Sequence, residues 1–143
     1  MRTYPFPRPP VYALAVKRSA AGLGLFAAQD IPAGRFIVEY WGRLVTDDEA
    51  DRIGGKYLFS LENGKTIDGT TRENTARYAN HACRPNAESR TAGNRMFLYA
   101  LKRIPAGTEI TYDYGKEYAD EYIKPHGCRC KTCAKRAVTN QRL

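Results

Sequence analysis

The stretch "CRCKTC" at 128–133 packs three thiols, Cys128, Cys130 and Cys133, into six positions, and the chain has one other cysteine, Cys83, in "RYANHACRPN". Three thiols so close together do not pair readily among themselves, whereas a Cys-x-Cys-x-x-Cys cluster suits a soft cation. Zinc takes four ligands in a tetrahedron, with each sulfur at about 2.3 Å. Three cysteines leave one vertex. Cys83 is the remaining sulfur that can fill it, with His81 and His126 as rival nitrogen donors. A set of reduced, unligated cysteines is the plain alternative. A four-sulfur site is closed, so it would be structural, fastening the C-terminal segment against the loop at 80–86.

The rest of the composition bounds the setting for that chemistry. The chain has 143 residues, 43% hydrophobic and 27% charged, which suits one globular domain. No apolar run has the length to cross a bilayer. "MRTYPFPRPPVY" at the N-terminus lacks the apolar core of a secretory signal. An intracellular, reducing setting is expected, where a disulfide framework is not. Net charge is +8, from 23 basic and 15 acidic residues. That balance fits a polyanion partner, but the charges are scattered, so nucleic acid is expected only as a non-specific contact.

Short strands and turns must hold these groups. Residues 2–10 carry four of the eight prolines and read as an extended arm, assigned to 1–11. "VYALAVKRS" suits a strand, and "FIVEYWGRLV" is a strong strand candidate. "TDDEADRIGG" predicts one short helix with Thr46 as N-cap and Gly54 or Gly55 ending it. "KYLFSL" and "KTIDG" flank a hairpin-type turn at "ENG". "TRENTARYANHA" is the best remaining helix candidate, weakened by its Asn and Thr. "RMFLYALKR" and "TEITYDYG" predict further strands. One unit occurs twice: "LFAAQDIPAG" (25–34) and "LYALKRIPAG" (98–107), each a strand, a Pro-Ala-Gly turn and another β-rich run. The expected fold class is mainly β, with few short helices.

Six segments, in order, resemble SET-domain protein lysine methyltransferases: "GLGLF" a Gly-x-Gly element, "EYWGRLV" a Tyr-x-Gly strand, "KYLFSL" an inner strand, "ARYANHACRPNAE" the Asn-His signature, "GTEITYDYG" a Glu-Leu-x-x-Asp-Tyr signature, and "CRCKTC" the post-SET zinc segment. The resemblance spans about Tyr12 to Cys133. It implies a SET (β-clip) fold of small curved sheets over 12–118, a post-SET zinc segment over 119–143, and a pseudoknot in which the C-terminal segment passes through a loop near the Asn-His motif. Tyr78 stands where phenylalanine is usual and Ala82 where serine is usual. The last two cysteines are separated by two residues where four are more common. No cysteine-rich segment precedes residue 12, so a pre-SET module is expected to be missing.

The resemblance implies methyl transfer from S-adenosylmethionine to a lysine ε-amine of a protein substrate, such as a histone tail or another basic protein. Tyr114 matches the catalytic tyrosine, and its hydroxyl would orient the amine. Tyr57 matches an inner-strand tyrosine that shares the task. Tyr112 matches the position that tunes methylation number, and a tyrosine there favours mono- or dimethylation. The cofactor would lie on Gly22, Leu23 and Gly24, with Asn80 and His81 offering polar groups, Arg77 as an anchor, and Tyr40 and Tyr78 on the wall. Tyr118 or Tyr122 would cover the adenine, and Asp68 would be structural. The implied zinc ligands are Cys83, Cys128, Cys130 and Cys133. Localisation would be cytoplasmic in a prokaryote and nuclear for an enzyme acting on chromatin. Two other readings stand beside this one: a SET-like module without chemistry that holds a peptide or nucleic acid, and a small zinc-knuckle nucleic-acid protein.

Overall fold

The computed structural model describes residues 6–115. Ten short strands form three small sheets. Strand β1 (Leu14–Ser19) turns back antiparallel onto β2 (Gly22–Ala27). β2 in turn pairs antiparallel with β10 (Glu109–Tyr112), and β10 pairs parallel with the two-residue β7 (Asn80–His81), giving the order β1-β2-β10-β7. The second sheet orders β3 (Phe36–Tyr40), β9 (Arg95–Ala100) and β8 (Ala87–Ala92). The third orders β4 (Arg43–Thr46), β6 (Lys65–Asp68) and β5 (Leu58–Ser60). The core draws on all three, with Leu25, Ile37, Met96, Leu98 and Ile110 wholly buried and Ile67 nearly so. Among the described residues no helix is long and apolar enough to cross a membrane.

The helix prediction at 46–55 holds in detail. Helix α1 spans Asp47–Ile53 and is capped by a reciprocal box: the Glu49 N–H donates to the Thr46 hydroxyl, and the Glu49 carboxylate accepts from the Thr46 N–H. Gly54 ends it at φ 67°, a conformation that favours glycine. The hairpin around "ENG" also forms, as β5 and β6.

Two expectations are corrected. "FIVEYWGRLV" is not one strand. It breaks at Trp41–Gly42, and its halves, β3 and β4, join different sheets. Glycine is required at the break: a Cβ on Gly42 would stand 1.8 Å from the Asp68 carbonyl oxygen. "TRENTARYANHA" forms only a 3-10 turn, Thr75–Tyr78. Its start is diverted because Asn74, wholly buried, does not cap the turn. Its amide accepts instead from the Trp41 N–H at 3.1 Å and donates to the Gly69 carbonyl at 3.0 Å. The end of the segment is taken up by β7. Strand β8 was not expected from its polar sequence "AESRTA".

The repeated unit folds onto its own copy. Ile31 and Ile104 exchange main-chain hydrogen bonds at 2.9 and 2.8 Å. Gly34 N–H donates to the Ala100 carbonyl, and Gly107 N–H donates to the Ala27 carbonyl, so the two turns are related by a local two-fold. Asp30 secures one side, accepting from the Ala106 N–H at 2.9 Å and from Arg103 at 2.6 Å. The arm is also tied down over its described part. The Arg8 N–H donates to Glu39 at 2.7 Å, its guanidinium lies 3.9 Å over the Phe36 ring, and buried Glu39 takes a two-pronged ion pair from Arg95.

Candidate active site

The parallel pairing of β7 with β10 brings the Asn-His motif beside the two tyrosines. Thr111 lies opposite Asn80, and Tyr112 lies opposite His81. Asn86 holds β10 in place from the side: its amide donates to the Glu109 carbonyl at 2.8 Å and accepts from the Thr111 N–H at 2.9 Å. Asn86 was assigned no role from sequence, although it closes the "RYANHACRPN" motif.

Tyr112, Tyr114 and His81 form one cluster. The Tyr112 and Tyr114 rings are 4.9 Å apart, and the His81 and Tyr114 rings are 5.4 Å apart. The Tyr114 hydroxyl donates to the Ala79 carbonyl at 2.5 Å. With its proton committed there, the phenolic oxygen keeps its lone pairs for accepting. The Tyr114 N–H donates to His81 Nδ1 at 3.1 Å, so Nδ1 carries no proton and Nε2 does. Burial holds His81 below its ordinary pKa of 6.5, with Asp113 pulling weakly upward. Asp113 stands 3.8 Å from Nδ1, but with that nitrogen already accepting, the contact is not an ion pair. Tyr112 is buried, and its carbonyl accepts from the Ala82 N–H at 3.2 Å.

Asn80 ties this strand to the glycine element. Its amide nitrogen reaches the Leu23 carbonyl at 3.0 Å, the Ser19 hydroxyl at 3.2 Å and a Glu109 carboxylate oxygen at 2.8 Å. Leu23 carbonyl and Glu109 carboxylate are acceptors only, so the NH₂ must face them and Oδ1 must face away. The glycines differ in purpose. Gly22 has φ 102° at the β1–β2 turn, while Gly24 makes room: a Cβ there would stand 2.5 Å from Glu109. Glu109 belongs to the matched "GTEITYDYG" segment, yet it was given no role from sequence.

Tyr57, Arg77 and Tyr78 form a neighbouring stack. The Arg77 guanidinium lies 4.2 Å over the Tyr57 ring and 5.0 Å from the Tyr78 ring, and it donates to the Thr70 carbonyl. Its buried Nε meets no hydrogen-bond partner among the described residues. Tyr40 is a core residue, packed on Phe59 at 6.0 Å and against Gly69. Asp68 binds the Thr70 N–H and hydroxyl within its own turn, a structural use.

Cys83 is exposed on the loop after β7, with its sulfur 3.9 Å from His81 Nε2. Cys128, Cys130, Cys133, His126, Tyr118, Tyr122 and the expected C-terminal threading lie outside the described residues.

A SET-domain family profile matches residues 22–115, more than half of the chain. The chain is 36% identical over 126 residues to histone-lysine N-methyltransferase trithorax of Drosophila melanogaster, covering 80% of this chain and 3% of that protein. It is 36% identical over 135 residues to human histone-lysine N-methyltransferase 2B, covering 85% and 5%. Against human histone-lysine N-methyltransferase EHMT1 the identity is 37% over 122 residues, covering 76% and 9%. The chain thus spans less than a tenth of the length of these relatives. Its small sheets, ordered motifs and this match together make the chain a member of the SET-domain family, homologous to histone-lysine methyltransferases.

Proposed function

We propose that the chain catalyses methyl transfer from S-adenosylmethionine to a lysine ε-amine of a protein, with a histone tail as the substrate class. The relatives are named for histone-lysine methylation, and the match covers the segment that holds every described residue of the cluster. The observation that carries the reading is the Tyr112–Tyr114–His81 cluster, in which the Tyr114 hydroxyl proton is committed to Ala79.

S-adenosylmethionine supplies an electrophilic methyl group on a sulfonium. The amine must arrive neutral, and for a lysine of ordinary pKa near 10.4 this costs about 4–5 kcal/mol at pH 7. The sulfonium's positive charge beside the amine, and a narrow apolar channel, lower that cost by disfavouring the ammonium form. The chain then has to align the amine. Tyr114 does so as an acceptor: its lone pairs take an amine N–H, and a phenol that donates to a carbonyl is poorly suited to act as a base. Tyr57 assists from the neighbouring stack, and Tyr112, with its bulk and hydroxyl, limits the product to mono- or dimethyl-lysine. Asn80 Oδ1, turned away from Leu23 and Glu109, fits as an acceptor for the ammonium end of the donor. Gly22, Leu23 and Gly24 offer backbone for close approach, and His81 offers main-chain groups.

A structural zinc site completes the proposal. Cys83 would join Cys128, Cys130 and Cys133, and thiolates are the donor set zinc prefers. Exposed Cys83 next to His81 suits such a ligand, and a metal bound there would lie within one ring of Tyr114. Substrate in chromatin implies work in the nucleus. The test is incubation with methyl-labelled S-adenosylmethionine and core histones, followed by mass spectrometry. Label on lysine is expected. A protein that binds the donor but labels no lysine in histones or a cell lysate refutes the reading.

A further inference from the structure

Glu109 is left over from the account above. It sits at the start of β10, opposite Phe26 of β2. Its carboxylate meets both elements assigned to the cofactor. Oε2 accepts from Asn80 at 2.8 Å, and the same oxygen fills the space a side chain at Gly24 would need. Among the described residues it has no ion-pair partner, on a chain of net charge +8. Lys17, on β1 opposite Gly24, is held 5.5 Å over the Phe26 ring. A carboxylate beside the site that meets no cation among the described residues directs its field at whatever binds there.

The methyl donor and the product of transfer differ in charge. S-adenosylmethionine carries a sulfonium, an ammonium and a carboxylate, for a net +1. After the methyl group leaves with its positive charge, S-adenosylhomocysteine has a neutral thioether and no net charge. We propose that Glu109 is the element that makes the site prefer the cationic donor over the neutral product. This rests on the reading of Gly24 and Asn80 as cofactor-binding residues. The consequence is functional. The carboxylate favours loading of the donor, and its hold weakens when transfer removes the charge, which limits inhibition by product.

Glu109→Gln keeps the shape and an acceptor for Asn80 and removes only the charge. Titration calorimetry on the full chain, with each ligand in turn, separates the possibilities. The expected result is a donor Kd weakened about three- to fivefold more than the product Kd, since the ammonium is common to both ligands and the sulfonium is not. Glu109→Asp, which retains the charge, keeps the wild-type ratio of the two Kd values even where both rise. Equal weakening of both ligands by Glu109→Gln, or no change in either, overturns the role of Glu109 and leaves the site assignment standing. Wild-type protein that binds neither ligand removes the site assignment and the role of Glu109 together.

Discussion

The backbone N–H of Tyr114 donates to Nδ1 of His81 at 3.1 Å, while Nε2 of the same ring lies 3.9 Å from the sulfur of Cys83. One imidazole therefore touches both the strand end proposed as catalytic and the loop proposed to hold zinc. The ring is held neutral by burial and can serve both contacts in one tautomer.

Metal removal follows from that contact. Chelation of zinc should release Cys83 and loosen His81, weakening donor binding by about tenfold. Calorimetry before and after treatment with a chelator measures it, with added zinc restoring the original Kd. Unchanged donor affinity after verified zinc loss would separate the two sites.

Tyr112 is proposed to limit the product. Tyr112→Phe removes a hydroxyl beside Tyr114, where the rings are 4.9 Å apart, without changing the buried ring. The room gained should shift the product from mono- toward di- and trimethyl-lysine, by about tenfold in the ratio of higher to lower states. Intact-mass analysis of a histone peptide reads this directly, and an unchanged distribution would put the tuning role elsewhere.

Gly42 tests the fold beneath the site. Gly42→Ala drives a methyl group to 1.8 Å from the Asp68 carbonyl, a contact of a backbone-fixed Cβ with a main-chain oxygen that no rotamer relieves. We expect a loss of roughly 2–3 kcal/mol in denaturant unfolding. A loss below about 0.5 kcal/mol would mean that the β3–β4 corner does not pack this tightly.

Acid should loosen the paired turns. Asp30 is held below its ordinary pKa of 3.8, chiefly by the Ala106 N–H and then by Arg103. Its folded pKa is depressed, so its contribution is present above 3.8 and is lost as pH falls through the folded value. Asp30→Asn should therefore flatten the fall in melting temperature below pH 4, while lowering it slightly at neutral pH. Parallel melting curves for the two proteins from pH 5 to pH 3 would contradict this.

Much of this architecture was legible, for reasons that differ from place to place. Capping chemistry is local, so Thr46 and the Gly54-Gly55 pair announced α1, and the Glu49 half of its capping box emerged with the structure. The two Ile-Pro-Ala-Gly turns were plain as repeats, but their pairing through Ile31 and Ile104 joins residues far apart in sequence, which no local pattern encodes. The same holds at Gly42. The β-rich run around it looked continuous because its two halves pair with strands distant in sequence, and the Asp68 carbonyl that demands glycine at 42 comes from another strand. Asn74 shows tertiary demand overriding local preference: its amide serves Trp41 and Gly69, and the helix expected around it shrinks to one turn. At the site, Asn80, His81, Tyr112 and Tyr114 were placed by motif, and β7–β10 pairing brings them together. Glu109 lay within a matched motif but had no visible task until Asn80 and Gly24 were seen against its carboxylate.

The most direct test is Tyr114→Phe, measured for transfer and for donor binding on the same preparation. The substitution removes the oxygen that donates to Ala79 at 2.5 Å and is proposed to accept from the amine. Methyl transfer to histone lysine should fall by about a hundredfold or more, while the donor Kd stays within about twofold. Transfer at the wild-type rate by the Tyr114→Phe protein would contradict the catalytic assignment.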